Sequence, residues 1–584
     1  MLIKKILKSY RYILPFWKKE VLSLVLSTLV MGVGLINPYL TKLIIDKAFA
    51  NRDLRLFIIL TVITGGVFIL TAIINSLNSY LSRYIKLRLS FELNRKMFQK
   101  LQSFSYNFFQ ENTIGENLYK LGYDIEQLSS FITSFLQQII ILIPKTLLIL
   151  AIIFYLNWKV ALLALVIILL MCVLPGYIMK RLQEQLKILV GKSESFFAKL
   201  EEVLSRMQLI KAFGKEKTEA KNYIANVIKL IRMQLKVTRL EIGTSFMHNL
   251  MNRLALGTLV FYCGYQLIKG RLTLGTFSAM AMYINQLSEI NNSSVSLFQE
   301  VSHWIVSYGR LEKILEMQPA KIENVCSQDV IFSRGNIEFR NVTFCYKKDK
   351  MILENLSFSV PGGSFVAFAG PSGVGKTTMV NLLLRLFRPL EGRILIDGVD
   401  INNIKSNSFY RQIGVALQWP LLWNNSIENN IKYSNKEASI NEIREVARIS
   451  RIDDFVNTLP QGYSTVIGEG ACRLSHGQRQ RIAIARALIK RPKILILDEA
   501  LSSVDSENES KIIKNIKEAF KGVTIIIISH RLSTVMTAEL VYFIQNSREI
   551  ISAAPQLLLD TNEVFYNLFS AQAKEVCVGG PEGI

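Results

Sequence analysis

The sequence predicts two architectures in series. The first is an all-α membrane domain of six transmembrane helices with long cytoplasmic extensions, and the second is an α/β domain built around a phosphate-binding loop. Three observations carry this reading. Half of the 584 residues are apolar, yet the formal net charge is +23. The apolar residues gather before about residue 300 and the basic ones fill the gaps between the apolar runs, which is the pattern of membrane spans with basic cytoplasmic loops. From Asn336 the pattern changes to short β-rich runs alternating with helical ones, which argues a largely parallel sheet.

High positive charge also raises nucleic-acid binding. Here the basic residues form no single stripe with interleaved aromatics, so the chain is read as taking no nucleic-acid partner. Six cysteines, Cys172, Cys263, Cys326, Cys345, Cys472 and Cys577, are scattered without a CxxC pair, so neither a zinc site nor a disulfide framework is indicated.

The first twenty residues have no long apolar core and no small-residue cleavage site, unlike a secretory signal. Ile3, Ile6, Leu7, Tyr10, Ile13, Leu14 and Trp17 recur at helical spacing with lysines between them, which suits an amphipathic helix lying in the membrane interface. Apolar stretches follow near 21–45, 56–80, 132–156, 159–179, 246–268 and 273–297, each long enough to cross a bilayer at about 1.5 Å per residue. Short links join the first to the second, the third to the fourth and the fifth to the sixth. The two long gaps are rich in Lys and Arg, with fourteen between Lys180 and Arg239. The basic gaps and both termini are therefore expected in the cytoplasm. Neither gap contains proline, so the spans are expected to continue as helices beyond the bilayer. Each gap has a break near its middle, Ser105 to Leu128 and Leu204 to Tyr223.

In the second half, IEFRNVTFCY, SFVAFAG, RILIDG, KILILDE and GVTIIIISH read as strands, the last three apolar enough to be buried. GPSGVGKTT follows one of them: Gly370, Pro371, Ser372, Gly373, Val374, Gly375, Lys376, Thr377 and Thr378. This fits GxxxxGK[ST]. Its glycines let backbone N–H groups close around a phosphate at a helix N-terminus. Lys376 would reach the β- and γ-phosphates of ATP, and the Thr377 hydroxyl would ligate Mg²⁺. ILILDEA carries Asp498 to the end of a buried strand, where it would hold Mg²⁺. Glu499 would polarise the attacking water as a general base.

With LSHGQ at Leu474 to Gln478, a lone Gln418 and a late His530, these segments resemble the ATPase kit of an ABC transporter of the exporter type. In that family the resemblance gives each residue a role. Tyr346 would stack on adenine. Gln418 would touch Mg²⁺ and the attacking water. Ser475, His476, Gly477 and Gln478 would cap the γ-phosphate held by the other subunit. Asp505 would cross the dimer interface, and His530 would bond the γ-phosphate. The family pattern is LSGGQ, so His476 is a departure, and its side chain is expected to point away from the nucleotide. IGEGACRLS resembles the loop before the signature, with Glu469 meeting a coupling helix.

The two gap-centre breaks resemble exporter coupling loops, through Phe108, Phe109, Gly115 and Asp124 in the first and Ile210, Lys211, Ala212, Phe213 and Glu216 in the second. The resulting organisation is an interfacial helix over 1–20, a membrane domain over 21–315 with loops near 105–128 and 204–223, and a linker over 316–335. A nucleotide-binding domain follows over 336–573, and a tail over 574–584.

One membrane domain and one ATPase domain make half a transporter. The implied partner is a second copy of the chain in a homodimer, with a heterodimer as the alternative. Membrane lipid and a drug, lipid or peptide substrate complete the expected partners, and the cytoplasmic membrane is the expected location. Polar residues inside the spans, Lys145, His248, Asn249, Asn252, Arg253, Asn285 and Glu289, either pair with one another, as Arg253 could with Glu289, or line a partly cationic cavity. Three functions compete: an ATP-driven exporter, an ATP-gated channel or sensor of the same architecture, and a soluble-type ATPase acting on nucleic acid. The intact Glu499 and the six spans favour the first.

Overall fold

Long helices dominate the first half because apolar spans and charged extensions share one uninterrupted helical register. The computed structural model describes residues 2–318, 328–346, 350–468 and 474–578, with backbone alone at 2–3, 167, 169–179 and 571–578. The chain divides into two compact units, one of Met1–Phe104 with Phe108–Pro319 and the other of Ser105–Asn107 with Ala320–Ile584.

In the first unit a short helix α1 (Leu2–Tyr10) precedes α2 (Trp17–Gly34) and α3 (Ile36–Leu43). The helices α4 (Leu54–Gln102), α5 (Tyr106–Glu111), α6 (Ile114–Tyr119) and α7 (Ile125–Leu156) follow. They lead to α8 (Trp158–Ser205), α9 (Met207–Ala212), α10 (Glu216–Ile268) and α11 (Leu274–Glu316). The helix α10 has 53 residues, about 80 Å at the α-helical rise and far more than the ~30 Å of a hydrocarbon core. Three stretches among the described residues are long and apolar enough to cross a membrane by themselves: Leu14–Phe49, Leu54–Gln102 and Ile114–Leu156. In α10 and α11 the polar residues named above dilute the apolar character.

The expected first span, 21–45, is two helices rather than one. Pro38 has no N–H to give the carbonyl of Gly34. That oxygen instead accepts from Gln286 Nε2 at 3.3 Å, and the Leu35 carbonyl accepts from the Tyr283 hydroxyl at 2.8 Å. Both donors come from α11, so a neighbouring helix satisfies the break. Beyond the spans, Ile85, Leu89, Leu93, Ile125, Leu128, Phe131 and Trp304 form a buried core between α4, α7 and α11. At its edge the fully buried Asp124 meets Arg310 at 3.2 Å, and Arg310 also meets Glu194 at 2.9 Å.

The second unit has two sheets. The strands β1 (Ile337–Cys345), β2 (Met351–Val360), β4 (Glu391–Ile396) and β5 (Val399–Asp400) form an antiparallel sheet in the order β2-β1-β4-β5 around β1. The strands β3 (Phe365–Ala369), β6 (Ile413–Ala416), β7 (Ile494–Asp498), β8 (Thr524–Ile528), β9 (Leu540–Ile544) and β10 (Ile550–Ala553) form the other, in the order β10-β9-β3-β8-β7-β6. All of its pairings are parallel except β10 with β9. RILIDG therefore belongs to the antiparallel sheet, not to the parallel one. Its buried part is only the three residues Ile394 to Ile396, a run too short to tell the two settings apart. KILILDE and GVTIIIISH are fully buried central strands.

Candidate functional site

Parallel strands deliver their C-terminal ends to one edge of the sheet, and here four neighbouring strands, β3, β8, β7 and β6, each end in a residue singled out from the sequence. The loop Gly370 to Gly375 follows β3 and turns into the helix Lys376–Leu383. Three glycines of the loop, Gly370, Gly373 and Gly375, sit at positive φ, and at the first and last a Cβ would also crowd its neighbours. Gly370 has φ +152°, and a Cβ there would lie 2.5 Å from the Ile544 carbonyl oxygen. Gly375 has φ +113° and caps the helix, with a Cβ position 3.0 Å from Leu353. The loop is thus a cradle whose inner wall is bare backbone.

Lys376 is buried, and its Nζ donates to the carbonyls of Gly370 and Pro371 at 2.7 and 2.9 Å. Burial holds its amine below the ordinary lysine range, against the pull of Glu499 and Asp498. Asp498, at the end of β7, is 2% exposed, and its Oδ1 has no hydrogen-bond partner. Burial first, and then the neighbouring Glu499, push its carboxyl up to about 6, opposed by Lys376 and a hydrogen bond from Thr377. An orphaned buried oxygen beside a threonine hydroxyl fits a divalent cation.

Glu499 is gripped from both sides. Gln418 Nε2 donates to its Oε2 at 2.6 Å, and His530 Nε2 lies 3.0 Å from its Oε1. Its backbone sits at φ +47°, a left-handed conformation that a glutamate adopts at a cost. Glu499, Gln418 and His530 come from the ends of β7, β6 and β8, so the sheet order itself brings them together.

Tyr346 is part-exposed at the end of β1, edge-on to Phe344 and Phe387, and its hydroxyl lies 3.2 Å from that of Thr378. Ser475 caps the helix His476–Leu488 in a reciprocal pair with Gln478, and Asp505 caps the helix Ser506–Ala519 through Asn508. None of these capping bonds reaches the loop at Gly370. The His476 ring stands edge-on against Trp419 at 5.8 Å, with its Nδ1 buried and unpartnered. Burial and then Arg479 lower the pKa of that imidazole. Glu469 lies outside the described residues.

Sequence reasoning missed Gln480, Arg531 and Trp419. The signal for Gln480 was present: it falls with Ala483, Ile484 and Ala487 on a buried helical stripe, a polar residue at core spacing.

Residues 21–290 match the family of the ABC transporter transmembrane region, and residues 353–502 match the ABC transporter family. The chain is 31% identical over 560 residues to an ATP-dependent lipid A-core flippase of Syntrophus aciditrophicus, covering 93% of this chain and 90% of that one.

The chain belongs to the ABC transporter family.

It is 28% identical over 536 residues to YwjA of Bacillus subtilis, an uncharacterised ABC transporter ATP-binding protein, covering 92% of this chain and 93% of that one. A bacterial Atm1-family ABC exporter with ATP bound shares its fold, with a TM-score of 0.89 and 24% identity over 95% of this chain and 99% of that one. The protein is an exporter-type ABC half-transporter, with membrane and ATP-binding regions fused in one chain and ATP hydrolysis coupled to transport. In the membrane unit, His248 and Asn252 are buried, whereas Arg253, Asn285 and Glu289 are exposed. Lys145 is half-buried. No ion pair joins Arg253 to Glu289 among the described residues. A cavity of about 840 Å³ among the helical extensions of the same unit has walls of mixed charge, with Lys180, Lys187 and Lys313 beside Glu116, Glu184 and Glu194.

Proposed function

We propose that this chain exports an amphipathic substrate across the cytoplasmic membrane by alternating access, as a homodimer that hydrolyses ATP at two composite sites. The ATP-binding domain lies in the cytoplasm. The observation that carries the hydrolytic part is Glu499, gripped by Gln418 and His530 beside the loop at Gly370.

In this reading the loop amides and Lys376 hold the β- and γ-phosphates, and Tyr346 takes the adenine. Lys376 must leave the carbonyls of Gly370 and Pro371 to reach them, exchanging two neutral acceptors for anionic ones. Thr377, Gln418 and Asp498 would hold Mg²⁺, which supplies charge neutralisation at the phosphates when bound. Glu499 accepts the proton of the attacking water, and His530 and Gln418 keep its carboxylate aimed.

Two chains are needed because the signature helix His476–Leu488 packs against β6 at the sheet edge. The loop at Gly370 follows β3, three strands away, roughly 14 Å at the usual spacing. The signature of one chain therefore completes the site of its partner. ATP binds the closed pair better than the open one and shifts the population toward it.

A lipid leads as the substrate class, ahead of a drug or peptide. The exposed Arg253, Asn285 and Glu289 and the half-buried Lys145, all within apolar spans, suit a body that is apolar at one end and charged at the other. The similar flippase is named for a lipid, lipid A-core.

The deciding variant is Glu499→Gln, measured in lipid nanodiscs. It is expected to keep ATP binding and to lose steady hydrolysis by at least a hundredfold, on the order of 3 kcal/mol in the barrier. Unchanged turnover would remove Glu499 from its role. Stimulation of the wild-type ATPase across lipids, drugs and small modified peptides then ranks the substrates.

A further inference from the structure

We propose that Gln480 is a positioning residue that ties the signature helix to Glu499, so that each ATP site senses the other. The proposal rests on the composite-site reading above and adds the link between the two sites.

Gln480 is completely buried on a stripe otherwise made of Ala483, Ile484, Ala487 and Leu488. A buried amide is costly unless its hydrogen bonds are met, and here they are met by one short segment. Its Nε2 donates to the Glu499 carbonyl oxygen at 3.3 Å and to Ser502 Oγ at 3.1 Å. Its Oε1 accepts from the Ser503 amide at 3.1 Å. The carbonyl it holds belongs to the residue with φ +47°, the strained peptide that aims the Glu499 carboxylate.

A second contact runs beside the first. A Cβ at Gly477 would lie 2.8 Å from the Ser503 carbonyl oxygen, so the signature glycine rests on the same backbone. On the far side, Arg531, next to His530, donates to the carbonyls of Ser502 and Val504 at 2.9 and 2.8 Å. The segment Glu499 to Val504 is therefore clamped between the signature helix and the β8 terminus. A small shift of the signature helix, when it meets the partner's nucleotide, must move the Glu499 peptide in its own chain.

The test is Gln480→Met, which keeps the shape and removes all three hydrogen bonds. In the homodimer it is expected to lower kcat at least tenfold, with KM for ATP within threefold. Mixed dimers locate the effect. One chain carries Glu499→Gln, leaving a single working site, and Gln480→Met is placed on either chain. Coupling predicts that both placements slow that site at least fivefold. On the chain with intact Glu499 the carboxylate is misaimed, and on the other chain the signature is loosened. An effect in one placement only, or kcat within twofold of wild type, overturns the proposal. If the methionine variant does not assemble, Gln480→Glu keeps the shape and loses the donor pair, and the same limits apply. Hydrolysis in a dimer with Glu499→Gln on both chains would instead sink the reading of Glu499 itself.

Discussion

At Glu499, the base of the proposed mechanism, the environment explains why position matters as much as type. Two side chains from other strands hold its carboxylate, and its backbone is left-handed. The neighbouring Asp498 is buried with an unpartnered oxygen, so burial and bonding set two adjacent acids in different surroundings, as the proposed division into a cation ligand and a base requires. His476 is the other informative residue. Its ring turns to Trp419, which follows Gln418, and not to a hydrogen-bond partner of its own. That orientation accommodates a side chain where the family pattern has glycine. His476→Gly is expected to raise ATP hydrolysis by less than tenfold, and a larger rise would mean that the ring obstructs the partner's nucleotide. An aromatic contact of this kind contributes about 1 kcal/mol, so the glycine variant is also expected to lose a little thermal stability.

Among the elements, the hairpin joining β4 to β5 shows how one carboxylate orders a chain entry. Asp397 sits at its tip, at φ +49°. It accepts from the amides of Ser333, Arg334, Gly335 and Asn336 at 2.7, 3.3, 3.2 and 2.8 Å. Burial works against its charge, but the bonds from Asn336, Gly335 and Ser333 win, and its pKa lies below the ordinary 3.8. A carboxyl depressed in the folded state contributes stability that is present above its unfolded value and lost as pH falls through the folded one. Asp397→Asn is expected to cost on the order of 1 kcal/mol after solvent screening. Denaturant unfolding of the ATP-binding unit in the whole chain measures this. The difference from wild type is expected to be constant from about pH 8 to pH 5 and to shrink only below about pH 4. A difference that shrinks between pH 7 and pH 5 would mean another group carries it.

The long membrane helices and the strand-end motifs were legible because each is a local pattern: a run of apolar residues, a glycine loop, a strand that ends in two acids. The break at Leu35 was marked by Pro38 and could have been read. The antiparallel placement of RILIDG could not, because three buried residues fit either kind of sheet. Gln480 was visible only as a polar residue at core spacing, with nothing nearby in the chain to name its partners.

For the whole molecule, charge and hydropathy divide the labour. The apolar half carries the transmembrane region, basic residues fill the gaps between its apolar runs, and the ATP-binding unit folds on two sheets of its own. The purified chain is expected to elute as a dimer of one polypeptide, and a requirement for a second, different chain would end the homodimer reading. Lys145→Glu is expected to change the substrate KM at least threefold, because charge reversal inside an apolar span is poorly screened. Transport kinetics that do not move would place Lys145 outside the substrate path.

By itself the sequence determined that this chain spans a membrane, binds ATP and carries the parts of a hydrolytic site, because those properties reside in composition and in short motifs whose chemistry is local. Only the tertiary structure decided how Gln418, Glu499 and His530 meet, where the His476 ring points, and which buried amide holds the Glu499 peptide. The reason is the order of the parallel sheet. It sets strands from four separate parts of the chain side by side, and no pattern along the chain records which of them become neighbours.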